Sequence, residues 1–198
     1  MNRPYSESCD QNKEPILSVI SALFSTCSNI LEIGSGTGQH AVYFAKKMPH
    51  LKWYSSDCLL NIEGINMWLA DAGLVNVVPP FELNVTSSPW PDFDVDAVFT
   101  ANSLHIMHQQ DIVNLMRGVG KLLKTDGSLV IYGPFNYNGF YSSASNESFD
   151  CWLKHRDPLS GIKHFEEIEC LANNNGMRFA EDYEMPVNNR ILHFIKTK

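Results

Sequence analysis

Three glycines, Gly34, Gly36 and Gly38, stand directly after a short apolar run near the start of the chain. Residues 29–40 read NILEIGSGTGQH, and residues 40–48 continue with the apolar spacing of a helix. A buried strand, a glycine turn and a helix start predict the first half of a βαβ unit, whose turn lies at the ligand-binding edge of an open sheet. Glycines at such a turn permit positive φ angles and let a ligand approach the backbone closely.

The spacing of the glycines and one acidic residue indicate which ligand is bound. A dinucleotide fingerprint reads G-x-G-x-x-G, whereas this chain reads G-x-G-x-G and has Gln39 where the third glycine would stand. Glu32 lies inside the preceding strand, and its carboxylate would repel a pyrophosphate but attract a cation. S-adenosylmethionine (SAM) has no phosphate and carries an ammonium and a sulfonium, so we expect SAM here. The alternative is a glycine turn that binds no ligand.

Polar residues also follow the next two predicted strands. Asp57 ends the strand predicted over residues 51–56, about 20 residues past the glycine turn, where a carboxylate accepts hydrogen bonds from ribose hydroxyls. The alternative is a capping or turn aspartate. Asn84 and Val85 end a third strand, predicted over residues 81–83 because two prolines precede it. An amide and an apolar side chain there suit an adenine, and the alternative is an ordinary turn asparagine.

A fourth strand, over residues 94–101, leads into the sequence NSLHIMH. In a doubly wound sheet this strand lies beside the glycine strand, which places Asn102 and His105 near the reacting centre. His105 is our candidate general base, and the alternative is a packing or surface histidine. His105 and His108 alone are a weak metal signal, so we predict no metal site.

The remaining pattern predicts one domain over residues 1–198. Helical and strand periodicities alternate, and the connector between the last two strands is short enough that these strands must be antiparallel. Residues 1–28 hold a helix over 15–24, with Pro15 in its first turn, and a preceding segment that is either a lid or a loose tail. Residues 134–164 depart from the alternation, and we expect this insertion to cover the active face.

The composition of the chain limits which binding partners and which cellular compartment we expect. The chain has 15 basic and 22 acidic residues, a formal net charge of −7 and no basic run, which disfavours nucleic acid as the main partner. Its five cysteines lack C-x-x-C pairing and predict free thiols in a reducing compartment. We see neither a secretory signal nor a membrane span, so we expect a cytoplasmic protein without a membrane partner, as a monomer or a homodimer.

The motifs together resemble a known family. E-x-G-x-G-x-G after a strand resembles motif I of the class I SAM-dependent methyltransferases, and PYSESCDQNKEPIL, ANSLHIMH, YGPFNYNGFY, SNESFDCWL and MPVNNR resemble the methyltransferase-like 26 family (domain of unknown function 938). The resemblance implies an α/β fold with a seven-stranded, mostly parallel, Rossmann-like sheet, an antiparallel last strand and helices on both faces. The cofactor positions it implies are Glu32, Gly34, Ser35, Gly36, Gly38, Asp57, Asn84, Val85 and Asn102. The commoner residue at Asn84 is aspartate. The candidates it leaves for the substrate side are Tyr5, Asn12, Pro134, Phe135, Asn136, Asn189 and Arg190.

The expected function is therefore methyl transfer from SAM to an unidentified small-molecule acceptor. A hydroxyl or a protonated amine would need His105 as a base, whereas a thiolate or a neutral amine would not, and His105 would then orient the acceptor. Asn102 is the second residue expected near the reacting atoms, and Arg190 could anchor a carboxylate. Two alternatives stay open: a SAM-binding interaction module without activity, and a nucleotide-dependent oxidoreductase, which the glycine spacing and Glu32 disfavour.

Overall fold

The computed structural model describes residues 3–197, so Met1, Asn2 and Lys198, at the ends of the predicted domain, lie outside the described residues. The helices are α1 (Glu7–Leu23), α2 (Gln39–Lys47), α3 (Leu59–Ala72), α4 (Gln109–Leu122), α5 (Ala144–Arg156) and α6 (Phe165–Asn174). The strands are β1 (Asn29–Ile33), β2 (Lys52–Asp57), β3 (Val77–Glu82), β4 (Val95–Ala101), β5 (Leu123–Gly133), β6 (Phe135–Asn136), β7 (Lys163–His164), β8 (Met177–Met185) and β9 (Asn189–Lys196). A short 3₁₀ turn, Pro186–Asn188, joins β8 to β9.

Seven strands form one sheet in the order β3-β2-β1-β4-β5-β9-β8. The neighbouring pairs from β3 to β5 are parallel, and the helices α2, α3 and α4 cross over from β1 to β2, from β2 to β3 and from β4 to β5. Strand β9 pairs antiparallel with both β5 and β8. The order reverses between β1 and β4, so the switch point lies at the carboxyl ends of these two strands. The predicted fold class, a seven-stranded Rossmann-like sheet with an antiparallel last strand, is confirmed.

Each face of the sheet carries its own apolar core. Successive residues of β1 point to opposite faces, so Ile30 packs with α1, α2 and α3, whereas Leu31 packs with α4 and α6. A strand that is buried on both faces reads as a continuous apolar run, which is why residues 30–33 stand out in the sequence. No helix within residues 3–197 is long and apolar enough to cross a membrane.

Helix α1 begins earlier than the sequence predicts. It starts at Glu7, and the Ser6 side chain accepts a hydrogen bond from the Cys9 N–H, so Pro15 lies inside the helix and not in its first turn. An interior proline removes one helical hydrogen bond. Tertiary packing offsets that loss, because Asn12, Ile16 and Ile20 bury one face of α1 against the domain.

Strand β3 is also longer than predicted and contains both prolines, Pro79 and Pro80. It is an edge strand that pairs only with β2, and its register shifts between Tyr54 and Ser56 of that partner. Prolines are confined to edge strands and to irregular positions, because there a missing N–H group removes no ladder hydrogen bond. The edge position and the register shift opposite the two prolines therefore accommodate them together.

A buried histidine joins α1 to α2. The His40 Nε2 group donates to Asn12 Oδ1 at 2.7 Å, and its ring stacks on Phe44 with centroids 5.1 Å apart. Burial lowers the pKa of His40 to about 4. Asn12, a predicted substrate residue, is thus enclosed between two helices and contributes to packing here.

The buried His40 ring predicts a pH dependence of stability. Between pH 6.5 and about 4 the unfolded histidine binds a proton that the folded one does not, so stability falls as the pH falls. We expect His40 to account for a loss of about 2 kcal/mol between pH 7 and pH 5. In the variant His40→Gln, glutamine still donates to Asn12 but does not titrate, so this part of the slope should vanish. Urea unfolding at both pH values measures it.

The exposed His155 on α5 supplies the control. His155→Gln should keep the wild-type difference between the two pH values. An unchanged difference in His40→Gln would contradict the assignment.

Candidate functional site

Each glycine of the turn between β1 and α2 serves a different purpose. All three have positive φ, at 74°, 58° and 89° for Gly34, Gly36 and Gly38. A Cβ at Gly34 would lie 2.5 Å from Ser103 Oγ, and a Cβ at Gly38 would lie 3.1 Å from the Ile65 Cα atom. At Gly36 nothing lies within 4 Å of that position. Gly34 and Gly38 are thus required by the packing of this chain, whereas Gly36 faces open space.

Asp57 holds this turn in place. Its Oδ2 atom accepts the Gly36 N–H at 2.7 Å, and its Oδ1 atom accepts the Cys58 N–H at 2.7 Å and Asn61 Nδ2 at 2.9 Å. The tip of β2 therefore meets the glycine turn, as the sequence predicts for a cofactor site. Each carboxylate oxygen can accept more than one hydrogen bond, so Oδ2 retains capacity for a ligand hydroxyl.

Glu32 lies under the turn and not on its surface. The side chain is 1% exposed, and Oε2 accepts the Trp53 Nε1–H at 3.0 Å. Burial, with a smaller contribution from the negative charge of Asp57, raises the pKa of Glu32 to about 7. Glu32 therefore ties β1 to β2 through Trp53, and its carboxylate lies too deep to face open space.

The Ser35 hydroxyl is buried in the glycine turn beside the Glu32 carboxylate. It forms no hydrogen bond of normal geometry within the described chain, although its proximity to Glu32 favours the ionised form of that carboxylate. Buried polar groups rarely lack well-formed hydrogen bonds, so a ligand atom is an expected partner. The Ser35 hydroxyl, the open face of Gly36 and the acceptor capacity of Asp57 fit a nucleoside that brings hydroxyls and a cation.

The predicted adenine residues are partly committed elsewhere. Asn84 Oδ1 accepts the N–H groups of Thr86 at 3.0 Å and Ser87 at 3.3 Å, which closes a turn on its own backbone. Val85 is buried in the core beneath α4. Two residues that sequence reasoning missed, Leu59 and Leu60, lie exposed directly after Asp57 and offer an apolar surface beside it. The sequence signal that could have identified these two leucines is their position just after Asp57, at the end of the second strand.

The predicted catalytic residues follow β4. Asn102 has a φ of 56°, a strained conformation for a residue other than glycine, and its N–H donates to the Tyr132 carbonyl at 2.9 Å. His105 is 7% exposed, and its ring meets the edge of Phe149 with centroids 5.2 Å apart. Burial, assisted by the positive charge of Lys163, lowers the pKa of His105 to about 4. The contact between Ser103 and Gly34 joins this segment to the glycine turn.

The predicted substrate residues do not form one group. Tyr5 is exposed, Asn12 is bonded to His40 as described above, and Phe135 belongs to the core beneath α4. Pro134 and Asn136 are buried, and the Oδ1 atom of Asn136 has no hydrogen-bond partner within the described chain.

Asn189 and Arg190 line a cleft of about 560 Å³ together with Tyr137 and Asp182. The Arg190 Nε–H donates to Asp182 Oδ1 at 2.7 Å, and the Tyr137 hydroxyl donates to Asp182 Oδ2 at 2.7 Å. The charge of Arg190 is therefore already paired within the protein. A carboxylate in this cleft would have to compete with Asp182.

The segment before α1 docks beside the glycine turn. The Ser6 N–H donates to Gln39 Oε1 at 2.6 Å, Gln39 Nε2 donates back to the Ser6 carbonyl, and Trp68 Nε1 donates to the Pro4 carbonyl at 2.6 Å. Gln39 occupies the position of the third glycine in a dinucleotide motif. Its long polar side chain could have indicated a contact with another segment, and the sequence analysis did not use this signal. The predicted lid role of residues 1–28 stays a prediction.

The insertion is fastened over the carboxyl ends of β4 and β5. The Gly161 N–H donates to the His105 carbonyl at 2.9 Å, and His108 Nε2 contacts Asp157 Oδ2 at 2.7 Å. Asp150, which sequence reasoning missed, accepts hydrogen bonds from Tyr141, Lys154 and the Ile162 N–H. Among the described residues no group of three or more His, Cys, Asp or Glu is placed to hold a metal ion.

Comparison with known proteins identifies the family. A family model described as "Protein of unknown function (DUF938)" matches residues 3–196. The chain belongs to the DUF938 family. That description names no activity, so membership alone leaves the function open.

Solved structures share the fold of this DUF938 chain. One is the mitomycin 7-O-methyltransferase MmcR, with a TM-score of 0.82 and 16% identity over 96% of this chain and 54% of that chain. Another is the human N-acetylserotonin methyltransferase in complex with SAM, with a TM-score of 0.81 and 14% identity over 97% of this chain and 53% of that chain. An O-methyltransferase family protein from Burkholderia thailandensis gives a TM-score of 0.83 at 14% identity, over 97% of this chain and 58% of that chain. This chain thus spans just over half the length of these proteins, and at such identities the likeness establishes the fold.

The raised pKa of the buried Glu32 predicts that its carboxylate reduces the stability of the folded chain at neutral and higher pH. Since its pKa is raised in the folded state, the folded chain holds a proton that the unfolded chain releases, and stability falls as the pH rises from 4.5 to about 7. The variant Glu32→Gln keeps an acceptor for Trp53 without the charge. We expect it to be more stable than the wild type at pH 8, by about 3 kcal/mol, and to lose that advantage near pH 4. Urea unfolding at both pH values measures the difference.

Glu63→Gln, at an exposed position on α3, is the matched control and should change little at either pH. If the Glu32→Gln variant is no more stable than the wild type at pH 8, burial of the charged carboxylate does not destabilise the folded chain.

Proposed function

We propose that this chain is a SAM-dependent methyltransferase that acts on a small-molecule acceptor. The observation that carries the proposal is the 2.7 Å hydrogen bond from the Gly36 N–H to Asp57, because it assembles a glycine turn and a carboxylate around open space. Fold likeness to proteins described as O-methyltransferases, or as complexes with SAM or S-adenosylhomocysteine (SAH), supports this assignment. The narrower kinship with methyltransferase-like 26 proteins is part of the proposal and rests on the sequence motifs.

The protein binds the cofactor through groups that are already oriented. Asp57 would accept the ribose hydroxyls, and Ser35 would contribute its hydroxyl. A bound cation would favour the ionised form of Glu32, whose pKa burial raises to about 7. Leu59 and Leu60 would pack on the base. When bound, SAM supplies a methyl group that its sulfonium already activates, so the chain's own task is to position the acceptor and exclude water.

His105 would face the acceptor. Since its pKa is lowered to about 4, the ring is neutral at pH 7 and has a nitrogen free to accept a hydrogen bond. The burial that keeps the ring neutral also makes a full imidazolium costly. His105 therefore suits an acceptor O–H that it orients through a hydrogen bond, with proton transfer only where that O–H is acidic. Asn102, held in a strained turn, would lie between this acceptor and the glycine turn.

The setting of the enzyme is proposed on the same basis. All five cysteines are free thiols in the structure, which suits a reducing compartment such as the cytoplasm. The net charge of −7 favours a small acceptor over nucleic acid.

The open face of Gly36 gives the sharpest test of binding. In the variant Gly36→Ala, the added Cβ meets no protein atom, so the expected loss of stability is the strain of a left-handed alanine, about 1 kcal/mol. If the cofactor lies against this face, the same methyl group should abolish the thermal shift that SAH gives to the wild type. A ligand at 100 times its Kd adds about 2.7 kcal/mol, which such a shift detects readily.

Gly73, the C-cap of α3, supplies a matched control. Its φ is 59°, and its Cβ position is equally open, but it lies at the far end of the helix that follows Asp57. Gly73→Ala should therefore lose similar stability and keep the SAH shift. Equal SAH shifts in both variants would exclude the cofactor from the Gly36 face, and stabilisation of the wild type by NAD alone would indicate a dinucleotide site.

Turnover separates an enzyme from a binding module. Incubation with methyl-labelled SAM and a metabolite extract should transfer label to a small-molecule fraction, and Gly36→Ala should abolish the transfer. SAM binding without transfer to any fraction would contradict the enzymatic proposal and favour the binding module.

A further inference from the structure

A buried lysine lies beside His105 at the carboxyl end of β5. Lys163 is 9% exposed and lies in the short strand β7, where it pairs with Phe135 of β6. Two residues before it, the Gly161 N–H donates to the His105 carbonyl at 2.9 Å. On the β5 side, a Cβ added to Gly133 would lie 4.0 Å from His105 Nδ1. The same two segments thus bring Lys163 and His105 to one place.

Three carboxylates lie close enough to act on Lys163 through their charge, namely Asp150, Glu167 and Asp157. Asp150 binds Lys154 Nζ at 2.6 Å, the Tyr141 hydroxyl at 2.7 Å and the Ile162 N–H at 2.7 Å. Asp157 contacts His108 Nε2 at 2.7 Å and accepts the Leu159 N–H at 3.0 Å. In the described part of the chain none of the three carboxylates forms an ion pair with Lys163.

The ammonium of Lys163 has no partner in the described part of the chain, where it takes part in no ion pair and no side-chain hydrogen bond. Burial of the side chain lowers the pKa of this ammonium, and the nearby carboxylates offset this only in part. Cations in such enclosed positions are normally paired, because removing water from an unpaired ammonium destabilises the folded state. A ligand that supplies the missing anion would recover this loss on binding.

The surroundings of Lys163 limit the shape of that ligand. Next to the lysine, His105 presents a neutral ring, and the half-buried Phe149 ring lies against its edge. Phe149 in turn stacks on Trp152 with centroids 5.8 Å apart. One cation beside an aromatic wall matches a molecule with an apolar body and a single anionic group.

We infer that Lys163 binds the anionic group of the methyl acceptor, and that the acceptor is a small organic acid with a carboxylate on an apolar body. This inference rests on the proposed function, because it assigns the acceptor half of the same site. It also gives Lys163 the anchoring role that the sequence had suggested for Arg190, whose charge Asp182 already neutralises.

The test measures ligand binding in the presence of saturating SAH. The probes are benzoate, phenylacetate and hexanoate, each compared with its neutral amide, and the readout is the thermal shift of the protein. We expect the carboxylates to stabilise the wild type more than the amides do. Lys163→Met should weaken carboxylate binding about tenfold or more and leave amide binding unchanged. Lys163→Arg keeps the charge and should retain most of the preference.

Two controls keep the outcomes distinct. Lys46→Met removes an exposed lysine of α2 and should behave as the wild type does. The shift with SAH alone reports the cofactor half of the site, so its absence in the wild type would count against the proposed function and not against Lys163 in particular. Lys163→Met should keep this shift, since a methionine of similar length removes a buried charge without emptying its space.

The inference is overturned if SAH binds and no carboxylate of the panel binds better than its amide. It is equally overturned if Lys163→Met keeps the wild-type preference for carboxylates.

Discussion

One hydrogen bond, from the Gly36 N–H to Asp57, fixes the relation between the two strand ends that form the candidate cofactor site. It does not act alone, because the Ser56 carbonyl also accepts the N–H groups of Gly34 and Ser35, at 2.9 and 3.0 Å. Three successive backbone donors of the glycine turn are thus bonded to the end of β2. Since β1 and β2 are adjacent parallel strands, their carboxyl ends meet at one edge of the sheet. The hydrogen bonds between the turn and β2 fix the orientation in which Gly36 faces open space.

The polar groups buried near this edge reduce the stability of the domain. Glu32 is kept under the turn at a raised pKa, His105 is kept neutral among aromatic rings, and Lys163 is buried without an anion. None of these groups is needed to build a Rossmann-like sheet, whose cores are apolar. Perturbed ionisable groups that gather at the switch point of such a sheet are typical of a functional site.

Two segments outside the βα alternation contact this edge. The segment before α1 reaches it through the Ser6–Gln39 pair, and the insertion reaches it through the contact of Gly161 with His105. The first contact uses the side-chain amide of Gln39 and therefore depends on that residue. The second joins two backbone groups, so it fixes the path of the chain whatever side chains stand there.

The amino-acid sequence by itself determined the features of this protein that depend on residues close together along the chain. Alternation of apolar residues predicted the sheet and its helices, and the spacing from Gly36 to Asp57 predicted that two strand ends lie beside each other. The tertiary structure alone decided where burial and pairing fall. It extended α1 back to Glu7, paired Asn12 with His40 and Arg190 with Asp182, and buried most of Lys163 without an ion pair among residues 3–197. The physical reason is that a hydrogen bond, an ion pair or the loss of solvent depends on neighbours that are distant along the chain, whereas periodicity and turn chemistry depend on adjacent residues.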